Sequence, residues 1–434
     1  PFLNQLGVNP VFNLLTSTLD DNRKENRTLH LMSEEDALSK VQKYLHRQGI
    51  DRLSPIARKV EREGTPNRRN VVLVFMESMS ANLMGTFGSD KKLTPYLDSL
   101  YQQSLSFCHF YSSGIHTNHG IYSTLYSFPA IMKRNAMKGS VIPVYSGLPT
   151  VLQENGYCNL FFMTHESQYD NMNAFLRTNG FDEIYAQENY PSEKVVNSFG
   201  VQDDFMYQYA LPILNERAGT GNPFFSVLLS ISNHPPYVIP PYFHPHSDVL
   251  EEQIVEYADW SIRQFMQAAE KQPWFDNTIF VFLGDHGKMV GTPECEMPQS
   301  YNHIPLMIYG KDIKPGVYDG FGGQVDVSPT LLGLLNISYL QNNFGVNLLE
   351  EERPCMFFTA DNLIGARDSV NMFIYSPDSQ QEFKYKLEEG KLHAATGTDE
   401  EAFRNLKDYC FSMLQSTESL VKEHKTLDKV SVKK

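Results

Sequence analysis

Cysteine is scarce in this chain of 434 residues and is never closely spaced. Cys108, Cys158, Cys295, Cys355 and Cys410 contain no CxxC pair, which excludes a zinc ribbon and a dense disulfide framework and leaves one or two bridges open. Long hydrophobic runs are also missing. No stretch of about 18 apolar residues occurs, so no segment reads as a membrane-spanning helix. Positive charge is in deficit: 37 Lys and Arg stand against 51 Asp and Glu, a formal net charge of −14. That balance argues against a general nucleic-acid or anionic-membrane surface and confines any phosphate site to a local pocket. Internal repeats and low-complexity tracts are absent as well. Pro1 rather than Met at the start predicts a chain trimmed of a preceding targeting segment.

What is present divides into three parts. Residues 1–66 read as a helical arm and linker, with a helix in "SEEDALSKVQKYLHRQG" opened by a Ser33–Asp36 capping box and closed by Gly49. Residues 67–344 alternate short apolar runs with helical patterns, the signature of an α/β domain with a mostly parallel central sheet flanked by helices. One helix starts at Thr94 as cap with Pro95 behind it. Another carries the stripe Ile254, Ala258, Ile262, Phe265 and Ala269. Residues 345–434 switch to alternating strands such as "SVNMFIYSP" and "EFKYKLEEGKL", then a helix opened by a capping box from Thr398 to Glu401, and predict a smaller α+β subdomain with a frayed tail.

Four apolar runs end in side chains that bind metal or phosphate: "NVVLVFME" in Glu77, "NLFFMTH" in His165, "FFSVLLSISNH" in His234 and "TIFVFLGDH" in Asp285 and His286. Runs of this kind suit strands buried on both faces, and ligands gather beyond the carboxyl ends of such strands. A fifth run, "HIPLMIYG", begins at His303, which the preceding loop can bring to the same edge. Glu77, Asp285 and His286 offer two carboxylates and an imidazole, a set for one divalent ion, with Mn²⁺ favoured and Mg²⁺ or Zn²⁺ also suited. In "GIHTNHGIYSTLYSFP", Thr117 stands before a helix whose apolar face is Ile121, Leu125 and Phe128. Two roles fit it. It either caps the helix with its hydroxyl, or serves as fourth metal ligand and nucleophile in the positive field of a helix N-terminus. His165, His234 and His303 then bind the oxygens of a phosphoryl group or protonate its leaving group. His116 and His119 either support that site or face solvent.

The order and spacing of "NVVLVFMES", "LTPYLDSLYQQS", "SSGIHTNHGIYSTL", "ISNHPPY", "YADWSIRQF" and "FLGDHG", over about residues 67–310, resemble the lipoteichoic-acid-synthase-like phosphoglycerol transferases of the sulfatase branch of the alkaline-phosphatase superfamily. The resemblance implies that Glu77, Thr117, Asp285 and His286 hold a manganese-type ion and that His165 and His234 lie near the substrate. It further implies that Thr117 is transiently bonded to glycerol phosphate taken from phosphatidylglycerol, for delivery to an envelope glycan or lipid. The catalytic domain is then expected outside the cell membrane behind membrane helices, with "PFLNQLGVNPVFNLLTS" as the junction and no nucleic-acid partner. One departure bears on the donor. Polymerising members carry an aromatic-Asn-Arg run after the first substrate histidine, where this chain reads "ESQYDNMNAF" with Asn171 about at the arginine position, so a bidentate phosphate contact is lost. A sulfatase proper needs Cys or Ser in a C/S-x-P-x-R context, which "TNHGI" does not offer. A phosphoethanolamine transferase is usually cysteine-bridged; a hydrolase and a catalytically silent lipid- or glycan-binding domain complete the alternatives.

Overall fold

A computed structural model describes residues 29–50, 53–139, 141–388, 390–395 and 400–427. Its centre is an eight-stranded sheet. In chain order the strands are β1 (Asn70–Met76), β2 (Leu105–Tyr111), β3 (Cys158–Met163), β4 (Glu183–Tyr185), β5 (Phe224–Leu229), β6 (Thr278–Gly284), β7 (Leu306–Tyr309) and β8 (Gly316–Gly323). They lie in the order β8-β2-β7-β6-β1-β5-β3-β4, and all pairings are parallel except those made by β7. The mostly parallel sheet expected from the apolar runs is therefore found.

Those runs are apolar throughout because both faces are covered. Along β1, Val71, Leu73 and Phe75 enter one core while Val72, Val74 and Met76 enter the other. Each such side chain contributes about 1.5–3 kcal/mol on burial. The first core is roofed by α2 (Thr117–Tyr126), the second by α1 (Pro95–Gln103), the helix Asp203–Ala218 and α3 (Leu250–Ala269). The predicted stripe on α3 is buried along its whole length. Thr94 occupies the cap position of α1, but its side chain makes no capping bond. Its hydroxyl turns to Asp98, and Asp259 of α3 accepts from the free N–H groups of Tyr96 and Leu97 instead.

The C-terminal part is the expected α+β unit. Its antiparallel sheet of five strands, β9 (Met356–Thr359) to β13 (Lys391–Ala394), packs against α4 (Glu400–Lys422). Ser33 accepts from Asp36 N–H at 3.2 Å to open the predicted N-terminal helix, Glu34–Tyr44. That helix lies along α4, tied by Lys40 to Asp408 and by Tyr44 against Tyr409. The junction segment at residues 1–17, Thr398 of the second capping box and the tail beyond 427 lie outside the described residues.

Candidate metal and phosphoryl-transfer site

Register alone brings the first two carboxylates together. Met76 and Gly284 are paired at the carboxyl ends of β1 and β6, so Glu77 and Asp285 leave the sheet side by side. The chain then turns sharply at Ser78, in the left-handed region at φ 50°. That turn lets Ser78 N–H donate to Asp285 Oδ1 at 2.8 Å and Ser78 O–H donate to Glu77 Oε1 at 2.7 Å. His286 donates from Nδ1 to the Gly287 carbonyl at 2.8 Å, which leaves Nε2 facing Asp285 Oδ2 at 3.5 Å and Glu77 Oε1 at 3.8 Å.

Thr117 arrives on α2, which roofs the first core. It is the first residue of α2, and its hydroxyl donates to Glu77 Oε2 at 3.5 Å rather than to a backbone group. The capping role is therefore not the one found: His116 occupies the cap position. Gly120 makes the approach feasible, since a Cβ there would lie 2.3 Å from the Asp285 carbonyl oxygen.

The donors fit a divalent cation. Asp285 is fully buried, yet its Oδ2 has no hydrogen-bond partner. Burial and the neighbouring Asp285 charge push the Glu77 carboxyl well above its ordinary range. Two adjacent buried carboxylates, an imidazole nitrogen aimed at both and a hydroxyl form an O/N set for one such ion.

His165 and His234 follow the carboxyl ends of β3 and β5, on the same edge of the sheet. His165 donates from Nδ1 to its neighbour's carbonyl at 3.0 Å, packs on Tyr169, and is held below its ordinary pKa by burial. His234 bonds the Pro235 carbonyl at 2.6 Å and lies 4.2 Å from the Phe199 ring. His303 is different, and the expected substrate contact is not what its surroundings provide. Its ring stacks on Tyr111 and abuts Phe87, and its Nε2 bonds the Cys108 carbonyl at 2.9 Å. Burial first, then the charges of Arg367 and His109, lower it to about 4. His303 lies three residues before β7, whose antiparallel run gives the preceding loop different neighbours from those of the parallel strand ends.

Asn171 also turns away, donating to the Met137 carbonyl at 2.8 Å. Asp170 faces inward instead, 3.3 Å from Asn118 Nδ2 beside Thr117 and 2.8 Å from Lys138. His119 is buried and pushed down to about 3 by desolvation, bonding the Arg134 carbonyl. His116 is held by Asp361, at 2.6 Å, from the C-terminal unit. Nothing in the sequence pattern singles out Asp361. Lys288, bonded to Asn233 and lowered to about 8 mainly by burial, had a signal in its place two residues after His286.

Comparison with known proteins agrees with this architecture. The sulfatase family model matches residues 69–337. A lipoteichoic acid synthase-like protein of Bacillus subtilis, YvgJ, is 25% identical over 362 residues, covering 76% of this chain and 56% of that protein. A lipoteichoic acid synthase of Staphylococcus aureus is 24% identical over 400 residues, covering 81% and 58%. The chain thus spans just over half the length of these relatives. Among solved structures, an alkaline phosphatase superfamily protein from Vibrio parahaemolyticus superposes with a TM-score of 0.82 at 25% identity, over 91% of this chain and 97% of that one. The lipoteichoic acid synthase LtaP from Listeria monocytogenes gives 0.71 at 21% identity, over 89% and 98%.

Proposed function

From a chain that belongs to the sulfatase family and is a lipoteichoic-acid-synthase-like member of the alkaline-phosphatase superfamily, we propose a metal-dependent phosphotransferase that moves phosphoglycerol or a related phospho-group from a phospholipid through a phosphothreonine at Thr117. The observation that carries this reading is the Thr117 hydroxyl at 3.5 Å from Glu77, inside a buried set that also holds the unpartnered oxygen of Asp285.

Glu77, Thr117, Asp285 and His286 would hold the ion, Mn²⁺ by preference, which supplies Lewis acidity that favours the threonine alkoxide. Thr117 Oγ1 bonds to phosphorus as the bond from phosphorus to the lipid alcohol breaks, and that alcohol leaves with a proton. An acceptor hydroxyl then attacks the phosphothreonine, gives up its proton, and Thr117 is restored. His165 and His234 bind the non-bridging oxygens and handle these protons.

The partners proposed are a membrane phospholipid and an envelope glycan or lipid, at the extracytoplasmic face of the cell membrane. Among the described residues no helix is long and apolar enough to cross a membrane. Asp170, not a guanidinium, stands next to Asn118, so a headgroup read through hydroxyl or amine hydrogens fits better than one read by its phosphate alone.

Incubation with phospholipid donor alone should leave a phospho-adduct on the peptide carrying Thr117, detected by mass spectrometry, and elemental analysis should find one bound divalent ion. Thr117→Ala should keep the fold and abolish turnover. Continued rapid donor turnover by that variant would return Thr117 to a structural role.

A further inference from the structure

α1 and α3 enclose a cleft of about 400 Å³, within the range of small-molecule sites at about 300–1,000 Å³. Its walls include Tyr96, Phe243 and Trp260. Phe243 and Trp260 lie 5.5 Å apart at 48°, and Tyr257 stacks behind Trp260 at 5.9 Å, fixing an angled aromatic surface.

Two buried acids hold these walls in place. Asp259 accepts from the N–H groups of Tyr96 and Leu97, and Glu256 accepts from those of His246 and Ser247, close to Phe243. Lys92 and Arg263 also line the cleft, and neither makes a hydrogen bond or ion pair among the described residues. The two cations stand against two carboxyls, so the lining carries little net charge.

α3 runs from the cleft toward the site. Glu251, in the first turn, acts electrostatically on both Lys288 and Tyr237, which also feel Glu77. Trp260 lies nine residues further, roughly 14 Å along the helix at 1.5 Å per residue. Glu256, Asp259, Trp260 and Arg263 share one face at helical spacing.

We infer that this cleft is a saccharide subsite, in which uncharged sugar rings of the acceptor glycan stack on Tyr96, Phe243 and Trp260 while Lys92 and Arg263 donate to their hydroxyl oxygens. Aromatic faces suit the C–H faces of a pyranose, and free donors around them suit its oxygens. An acyl chain would leave Lys92 and Arg263 facing hydrocarbon, and a polyphosphate would meet Glu256 and Asp259. Identification of the sugar as acceptor rests on the transferase reading, but sugar binding itself does not.

The chain has two tryptophans, and Trp274 is buried with its indole N–H on Asn215, so ligand-dependent fluorescence reports on Trp260. Maltotriose, cellotriose and chitotriose are titrated without donor. At least one should give a saturable change that Tyr96→Ala and Arg263→Ala each weaken roughly 3- to 10-fold, with the melting temperature and donor turnover in water unchanged. Thr117→Ala should bind sugar normally, which separates failure of the subsite from failure of the transferase reading. No saturable response to any of the three sugars, equal affinity in both variants, or a response to phosphatidylcholine vesicles in place of sugars would overturn the assignment.

Discussion

Asp285 and Asp326 are both fully buried near the carboxyl ends of central strands, and they are satisfied in opposite ways. Asp326 receives Arg353 Nε and Nη2 at 2.6 Å each, together with the N–H groups of Gly323 and Val346. Arg353 also reaches the Phe344 carbonyl and the Tyr409 hydroxyl, so this pair ties β8 to the C-terminal unit. Asp285 fills only Oδ1, from Ser78 and His286 N–H, and its other oxygen faces a second buried carboxylate. Burial of charge is common to both. What marks a site for a cation is the charge left without a protein partner.

Breaking the two corners should therefore give opposite results, and this is the largest effect expected. Arg353→Ala strands Asp326 and should destabilise the fold by about 3–5 kcal/mol, read from denaturant unfolding. Asp285→Asn should lower turnover by several orders of magnitude while leaving stability in the presence of EDTA unchanged or higher, because it relieves repulsion with Glu77. Comparable destabilisation by both substitutions would erase the distinction.

His303 allows an intermediate test, because its ring packs on Tyr111 and Phe87 and bonds the Cys108 carbonyl. Its folded value of about 4 lies below the ordinary value of 6.5. The unfolded chain therefore takes up a proton between these values that the folded chain refuses. The stability this group contributes is complete above about pH 6.5 and falls progressively toward pH 4, by up to about 3 kcal/mol. His303→Phe should flatten that acid limb in unfolding curves and leave the pH profile of turnover in place. A changed turnover profile with an unchanged stability limb would put His303 back against the substrate.

The difference between His303 and the other two, His165 and His234, also shows how far the sequence could be read. Parallel strands buried on both faces announce themselves as unbroken apolar runs, so Glu77, His165, His234, Asp285 and His286 could be placed at one edge before any coordinates. β7 is antiparallel, and His303, in the loop just before it, inherits no such guarantee. The Thr94 cap failed because Asp259, 165 positions away, competes better for the same N–H groups. Asp361 was invisible because its partner His116 is 245 positions distant and no local pattern links them.

The smallest expected effect concerns the departure at Asn171. The resemblance to polymerising members of the family implies that an arginine there restores recognition of a phosphoglycerol headgroup. The local backbone argues otherwise. Asp170 and Asn171 are both left-handed, at φ 52° and 65°, a conformation that asparagine tolerates and longer side chains resist by about 1–2 kcal/mol. In that conformation the 171 side chain bonds the Met137 carbonyl while the 170 carboxylate approaches Asn118. Asn171→Arg should therefore lower stability slightly and change kcat/KM for phosphatidylglycerol by less than about tenfold, since tenfold is about 1.4 kcal/mol and one exposed charge contact supplies no more than about 1 kcal/mol. Asp170→Asn, which removes the charge that faces Asn118, should shift the preference between phosphatidylglycerol and phosphatidylethanolamine more than Asn171→Arg does. Competition assays with both lipids would decide it, and a gain of several orders of magnitude with Asn171→Arg would mean that the substituted side chain swings into the site and that position 171, not 170, reads the donor.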